Sequence, residues 1–173
     1  MHGTKTDAAQ DVLAGEATRV LNLCRARALT VATAESCTGG LVAAALTAIA
    51  GSSDVVDRGV VTYSNAAKRE MLGVSAATLE AHGAVSEETA REMVSGLLRI
   101  AGTSLGVSVT GIAGPGGGSD AKPVGLVHFA AGNREGKVIA RREVFAGQDR
   151  AGVRRLATLT ALAMLAELAG TQD

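Results

Sequence analysis

Leu29-Thr30-Val31-Ala32-Thr33-Ala34 runs straight into Glu35-Ser36-Cys37-Thr38-Gly39-Gly40, after which Gly39 to Ala50 stays apolar nearly all round. The first six residues are short, apolar and partly β-branched, which predicts a buried strand. The apolar stretch behind the glycines predicts a buried helix. Upstream, residues 7–28 read as a helix capped by Asp7, with Val12, Leu13, Ala17, Val20, Leu21 and Cys24 near helical spacing. Downstream, Gly51-Ser52-Ser53-Asp54 is a turn and Arg58 to Tyr63 a second strand. Residues 65–72, 75–81 and 86–101 read as helices. The last opens Ser86-Glu87-Glu88-Thr89, with acids where the helix dipole favours them. Leu105, Val107 and Val109 alternate in a third strand over 104–109, and Gly111 to Lys122 is a glycine-rich loop. Residues 124–131 and 137–145 are strands joined by Gly132-Asn133-Arg134-Glu135-Gly136, a hairpin-like link. A helix over 150–168 closes the chain. This order mixes crossovers with a hairpin, so it predicts a layered α/β domain whose mixed sheet is parallel in the middle and antiparallel at an edge.

The bulk composition narrows the function classes. At ~150 residues per domain, 173 residues predict one domain, 1–173. Lys plus Arg is 17 and Asp plus Glu is 17, which removes the basic footprint of a nucleic-acid binder. Aromatic residues are 2%, with one Tyr and no Trp, so base-stacking platforms are not expected. No apolar run reaches the ~20 residues of a membrane span. The polar start Met1-His2-Gly3-Thr4-Lys5-Thr6-Asp7 is no signal peptide. Cys24 and Cys37 have no metal or redox spacing and read as reduced thiols of a cytoplasmic protein. His2, His82 and His128 are scattered, so no metal site is predicted.

Three loops follow predicted strands, where open α/β sheets bind ligands. In the first, Ser36 sits on a strand-to-helix turn; it is either a nucleophile or, with Thr38, a helix cap. The pattern is no GxSxG elbow, because Ala34 and Thr38 stand at the glycine positions. In the second, Tyr63-Ser64-Asn65 precedes Lys68. Asn65 reads as the cap, and Lys68 as either a solvated surface cation or a base of depressed pKa. Tyr63 reads as a half-buried aromatic. The third, Thr110-Gly111-Ile112-Ala113-Gly114-Pro115-Gly116-Gly117-Gly118, lacks the Gly-Lys-Ser/Thr of a P-loop. It is either a flexible connection or a cradle whose backbone approaches a phosphate or carbonyl. Arg150, at the start of the last helix, is a further candidate phosphate partner.

The stretches Ala34-Glu35-Ser36-Cys37-Thr38-Gly39-Gly40, Val61-Thr62-Tyr63-Ser64-Asn65 with Lys68, and Gly106 to Gly117 resemble one family, in the right order. Lys122-Pro123-Val124-Gly125 and Phe145-Ala146-Gly147 before Arg150 extend the match to about residues 10–168. The family is the nicotinamide-nucleotide amidohydrolases, also known as the C-terminal domain of competence/damage-inducible CinA proteins. The resemblance implies a three-layer α/β/α single domain with a mixed, mainly parallel sheet and an antiparallel edge. It implies hydrolysis of nicotinamide mononucleotide to nicotinic acid mononucleotide and ammonia in pyridine-nucleotide salvage, without a cofactor, by a homo-oligomer. Carried over, Ser36 is the nucleophile, Lys68 and Tyr63 supply the base, and Thr110 helps to hold the oxyanion with the first N–H groups of the following helix. Lys68 takes the serine proton directly or through Tyr63, and the two are open to exchange of roles. A Ser–Lys pair is one convergent variant of the catalytic triad. Gly39, Gly114, Gly116, Gly117, Asn65 and Arg150 are the expected substrate-binding residues. Two other functions remain open: a silent nucleotide-binding module, and an amidase for another small carboxamide.

Overall fold

The structure, a computed structural model, describes residues 4–171. Its first helix, α1, spans Thr4–Ala26, so Asp7 lies inside the helix and is not its cap. Strand β1 (Val31–Glu35) follows, then α2 (Leu41–Thr47), a 3-10 turn at Ser52–Asp54, and β2 (Val56–Val61). Three helices come next, α3 (Asn65–Leu72), α4 (Ala76–His82) and α5 (Glu87–Ala101). The chain ends with β3 (Leu105–Gly111), β4 (Leu126–Asn133), β5 (Val138–Val144) and α6 (Arg150–Gly170). The five strands form one sheet in the order β2-β1-β3-β4-β5. β1 pairs in parallel with β2 and β3, whereas β4 is antiparallel to both β3 and β5. The mixed sheet expected from the sequence is present, and its antiparallel part makes two of the four ladders.

Strand alternation sorts the side chains onto two helical layers. Val31, Leu105, Val107, Val109, Val127 and Phe129 share a core with Ala17, Leu21, Val42, Leu46, Val153 and Leu165 of α1, α2 and α6. On the other face, Ala32 and Ala34 pack with Leu72, Met93 and Leu97 of α3 and α5. Small residues let α3 and α5 come this close. A Cβ on Gly96 would stand 1.8 Å from the Leu72 carbonyl oxygen, so only glycine fits there. Ser108 joins the layers by donating to the Ala90 carbonyl at 2.6 Å.

Helix α2 departs from expectation. It is seven residues long, and only Val42 and Leu46 of it are buried. The alanine-rich run over 39–50 looks buried all round because alanine marks no face, but Leu41, Ala44 and Ala48 lie at the surface. No helix of the described residues is long and apolar enough to cross a membrane.

Candidate active site

In parallel strands the carboxyl ends line up, and here those of β1, β2 and β3 meet around Ser36. Ser36 N donates to the Val109 carbonyl at 2.9 Å and Thr62 N to the Glu35 carbonyl at 2.8 Å, so both ladders run one residue past the strands. The helix after β1 packs on one face of the sheet and the helices after β2 on the other. Ser36 therefore sits at a switch point of the topology, the usual ligand position in such sheets. Gly39 and Gly40, with φ of 61° and 98°, turn the chain from this point into α2.

Glu35 governs that turn. Its carboxylate is 1% exposed and accepts from the backbone N–H groups of Gly40, Val42 and Ala43, at 3.0, 3.1 and 2.9 Å. An internal anion thus occupies the positive end of α2. This corrects the expectation that the first N–H groups of α2 face an oxyanion, because three of them are committed to Glu35. Sequence reasoning gave Glu35 no role. Its only signal is an acid at the end of a buried strand, one step before a glycine-led helix.

Lys68 enters from α3, which Ser64 caps by accepting from Ala67 N at 3.0 Å. The cap is thus Ser64, whose extended backbone frees its hydroxyl for this bond, and Asn65 is the exposed first residue of the helix. Lys68 is 1% exposed. Its Nζ lies 3.1 Å from Ser36 Oγ and 2.7 Å from the Thr62 carbonyl oxygen. No salt bridge reaches it among the described residues. Burial holds the ammonium below the usual lysine range, since the lost hydration of the charged form outweighs the opposing influence of the nearby Cys37.

Cys37 is turned into the core, 5% exposed, and burial pushes its thiol up to about 11. Such a thiol is un-ionised at neutral pH and a poor nucleophile.

Tyr63 lies apart from this pair. Its ring is 59% exposed and its hydroxyl accepts from Arg150 Nη2 at 2.9 Å. Lys68 reaches Ser36 without a relay, so the geometry separates the two residues whose roles the sequence left interchangeable. Arg150, the first residue of α6, also donates through Nη1 to the Gly114 carbonyl at 2.8 Å, tying the helix to the glycine-rich loop. Thr110 is fully buried and its hydroxyl donates to the Ala84 carbonyl at 2.7 Å. The proton expected to serve an oxyanion is committed there instead.

One cavity of about 270 Å³ is lined by Ser36, Tyr63, Lys68, Thr110, Gly114, Gly116, Gly117 and Arg150. Gly39 and Asn65 are not among its lining residues, because Gly39 belongs to the turn beneath α2 and Asn65 points to the surface. Ala84 and Val85 also line it, and no motif in the sequence marked them. The backbone N–H groups of Gly116 and Gly117 make no hydrogen bond among the described residues. The cavity therefore offers a serine beside a buried amine, unpaired amides and a guanidinium. That set suits attack on a carbonyl carbon within an anionic molecule.

The family model of the CinA C-terminal domain matches residues 14–169. Among relatives, the nicotinamide-nucleotide amidohydrolase PncC of Escherichia coli strain K12 is 56% identical over 141 residues, covering 82% of this chain and 85% of that protein. The protein of the same name from Enterobacter agglomerans is 54% identical over 138 residues, covering 80% and 84%. The crystal structure of the competence/damage inducible protein CihA from Agrobacterium tumefaciens superposes with a TM-score of 0.89 at 51% identity, covering 91% of this chain and 95% of that one. Taken with the strand-end cavity built from the same sequence stretches, these matches place the chain in the family of the CinA C-terminal domain.

Proposed function

We propose that this protein hydrolyses the carboxamide of nicotinamide mononucleotide to nicotinic acid mononucleotide and ammonia, with Ser36 as nucleophile, as a step of pyridine-nucleotide salvage. The observation that carries the proposal is the contact of 3.1 Å between Ser36 Oγ and the buried Lys68 Nζ. The names of the PncC relatives support the substrate. A neutral lysine amine has two N–H donors and one lone pair. Here one N–H is satisfied by the Thr62 carbonyl, and the lone pair can accept the Ser36 proton.

Oγ attacks the carboxamide carbon as Lys68 takes its proton. The carbon–nitrogen bond then breaks, and the lysine ammonium returns that proton to the departing nitrogen, which leaves as ammonia. Water adds to the resulting ester, again giving a proton to Lys68. The proton returns to Ser36 as the acid departs. Throughout, the unpaired amides of Gly116 and Gly117 and the Arg150 guanidinium serve the anionic parts of the substrate.

The test is ammonia release from nicotinamide mononucleotide by the wild-type chain and by Ser36→Ala. The variant should fold and lose several orders of magnitude in rate, as loss of a covalent nucleophile does. A variant that keeps a tenth or more of the activity would remove Ser36 from the chemistry. Preference for free nicotinamide would show a different carboxamide substrate, and absence of turnover on either a binding role.

A further inference from the structure

The junction His82–Val85 links α4 to α5 and places Ala84 and Val85 in the cavity wall. Each of its four carbonyl oxygens accepts from a side chain. Ser86 Oγ and Thr89 Oγ1 donate to Gly83 O at 3.0 and 2.8 Å, and Thr110 Oγ1 to Ala84 O. Lys122 Nζ serves the remaining two, donating to His82 O at 2.6 Å and Val85 O at 2.8 Å. Ser86 and Thr89 are local, since Ser86 caps α5 by accepting from Thr89 N in its first turn. Lys122 is not local. It ends the glycine-rich loop, whose residues Ile112, Ala113, Gly114, Gly116 and Gly117 form another part of the cavity wall.

The base of Lys122 is itself fixed. Lys122 N donates to Ser119 Oγ at 3.1 Å, and Ser119 N donates to the Lys122 carbonyl at 2.8 Å. Its ammonium makes no salt bridge among the described residues, and its hydrogen-bond partners there are carbonyl groups. Hydrogen bonds from a charged donor are stronger than neutral ones, and two from one atom fix its position.

The geometry points to Lys122 as a positioning residue, a strap that holds the 82–85 wall to the glycine-rich loop and so sets the shape of the substrate cavity. It rests on the amidase function proposed above. Lys122 does not line the cavity, so its effect reaches the substrate through Ala84, Val85 and the loop glycines. Slack in those walls weakens binding of substrate and transition state alike, which raises KM and leaves kcat nearly unchanged.

The experiment compares wild type, Lys122→Met and Lys122→Arg in steady-state kinetics on nicotinamide mononucleotide and nicotinamide riboside, and in hydrogen–deuterium exchange. Lys122→Met should raise KM about ten-fold on both substrates with kcat within about two-fold. Exchange should quicken in peptides covering 79–90 and 112–125 and stay unchanged in β1. Lys122→Arg retains several donors and should recover most of the KM, and it also serves if Lys122→Met does not fold. Unchanged KM and unchanged exchange would overturn the strap. So would a KM rise confined to the nucleotide without faster exchange, because Lys122 would then be holding the phosphate itself. Absence of wild-type turnover would count against the amidase, while the exchange comparison would still decide the strap.

Discussion

In the proposed mechanism Lys68 has to be neutral to accept a proton from Ser36, and burial favours the neutral form at a lower pH than in an exposed lysine. The specificity constant should therefore rise as pH rises through the lowered pKa and level off above it, with the rising limb below the ordinary lysine value of 10.5. Lys68→Arg should be inactive across the range, since a guanidinium does not deprotonate in proteins. A pH–rate profile of both proteins checks this, and an active Lys68→Arg would end the role of Lys68 as base. Arg150 makes a separate prediction. Its fork meets Tyr63 and Gly114 and retains further N–H groups for a phosphate. A charge-assisted grip of about 1.5–3 kcal/mol implies a loss of roughly ten- to a hundred-fold for Arg150→Ala on the nucleotide. The riboside, which lacks the phosphate, should scarcely be affected. Equal losses on the two substrates would make Arg150 a structural tie between α6 and the loop. These residues were legible in the sequence because each stands in a loop after a strand or in the first turn of the helix that follows it. Their partners were not, for a hydrogen bond between residues 36 and 68 or 63 and 150 depends on strand order, which periodicity does not encode.

At the scale of the element, α2 is a short helix whose start is fixed by a side chain from the preceding strand. Glu35→Ala would leave three N–H groups near the site without their acceptor, costing about 3 kcal/mol. The melting temperature should fall by roughly 6–12 °C for a chain of this size. Calorimetry decides it, and a variant that melts with wild type would show that water replaces the carboxylate without loss. The same element shows where sequence reading stops. The strand, the glycine turn and the existence of α2 are written in local composition. Its length and exposed side are not, because Ala43, Ala44, Ala45 and Ala48 fit core and surface equally. Asn65 and Ser64 make a smaller case of the same kind. Both residue types cap helices, and the one whose backbone is extended takes the position.

For the whole molecule, β1 is the keystone of the sheet. All five of its residues are buried and it has a parallel neighbour on each side, whereas every residue of β5 retains some exposure and it closes an edge. Native-state hydrogen exchange should open β5 first and β1 with β3 last, near the free energy of global unfolding. Equal protection in β5 and β1 would contradict this. The order in which the sheet is filled also has a consequence in time. Ser36 is made early, but Lys68, the Val109 carbonyl that holds its backbone and the Arg150 guanidinium follow in turn. At about 5–20 residues per second, Arg150 is added roughly 6–23 s after Ser36 during synthesis. The growing polypeptide carries its serine without Lys68 for the first part of that interval and without Arg150 for all of it, so in the proposed mechanism hydrolysis of the nucleotide begins only after nearly the whole chain has been made.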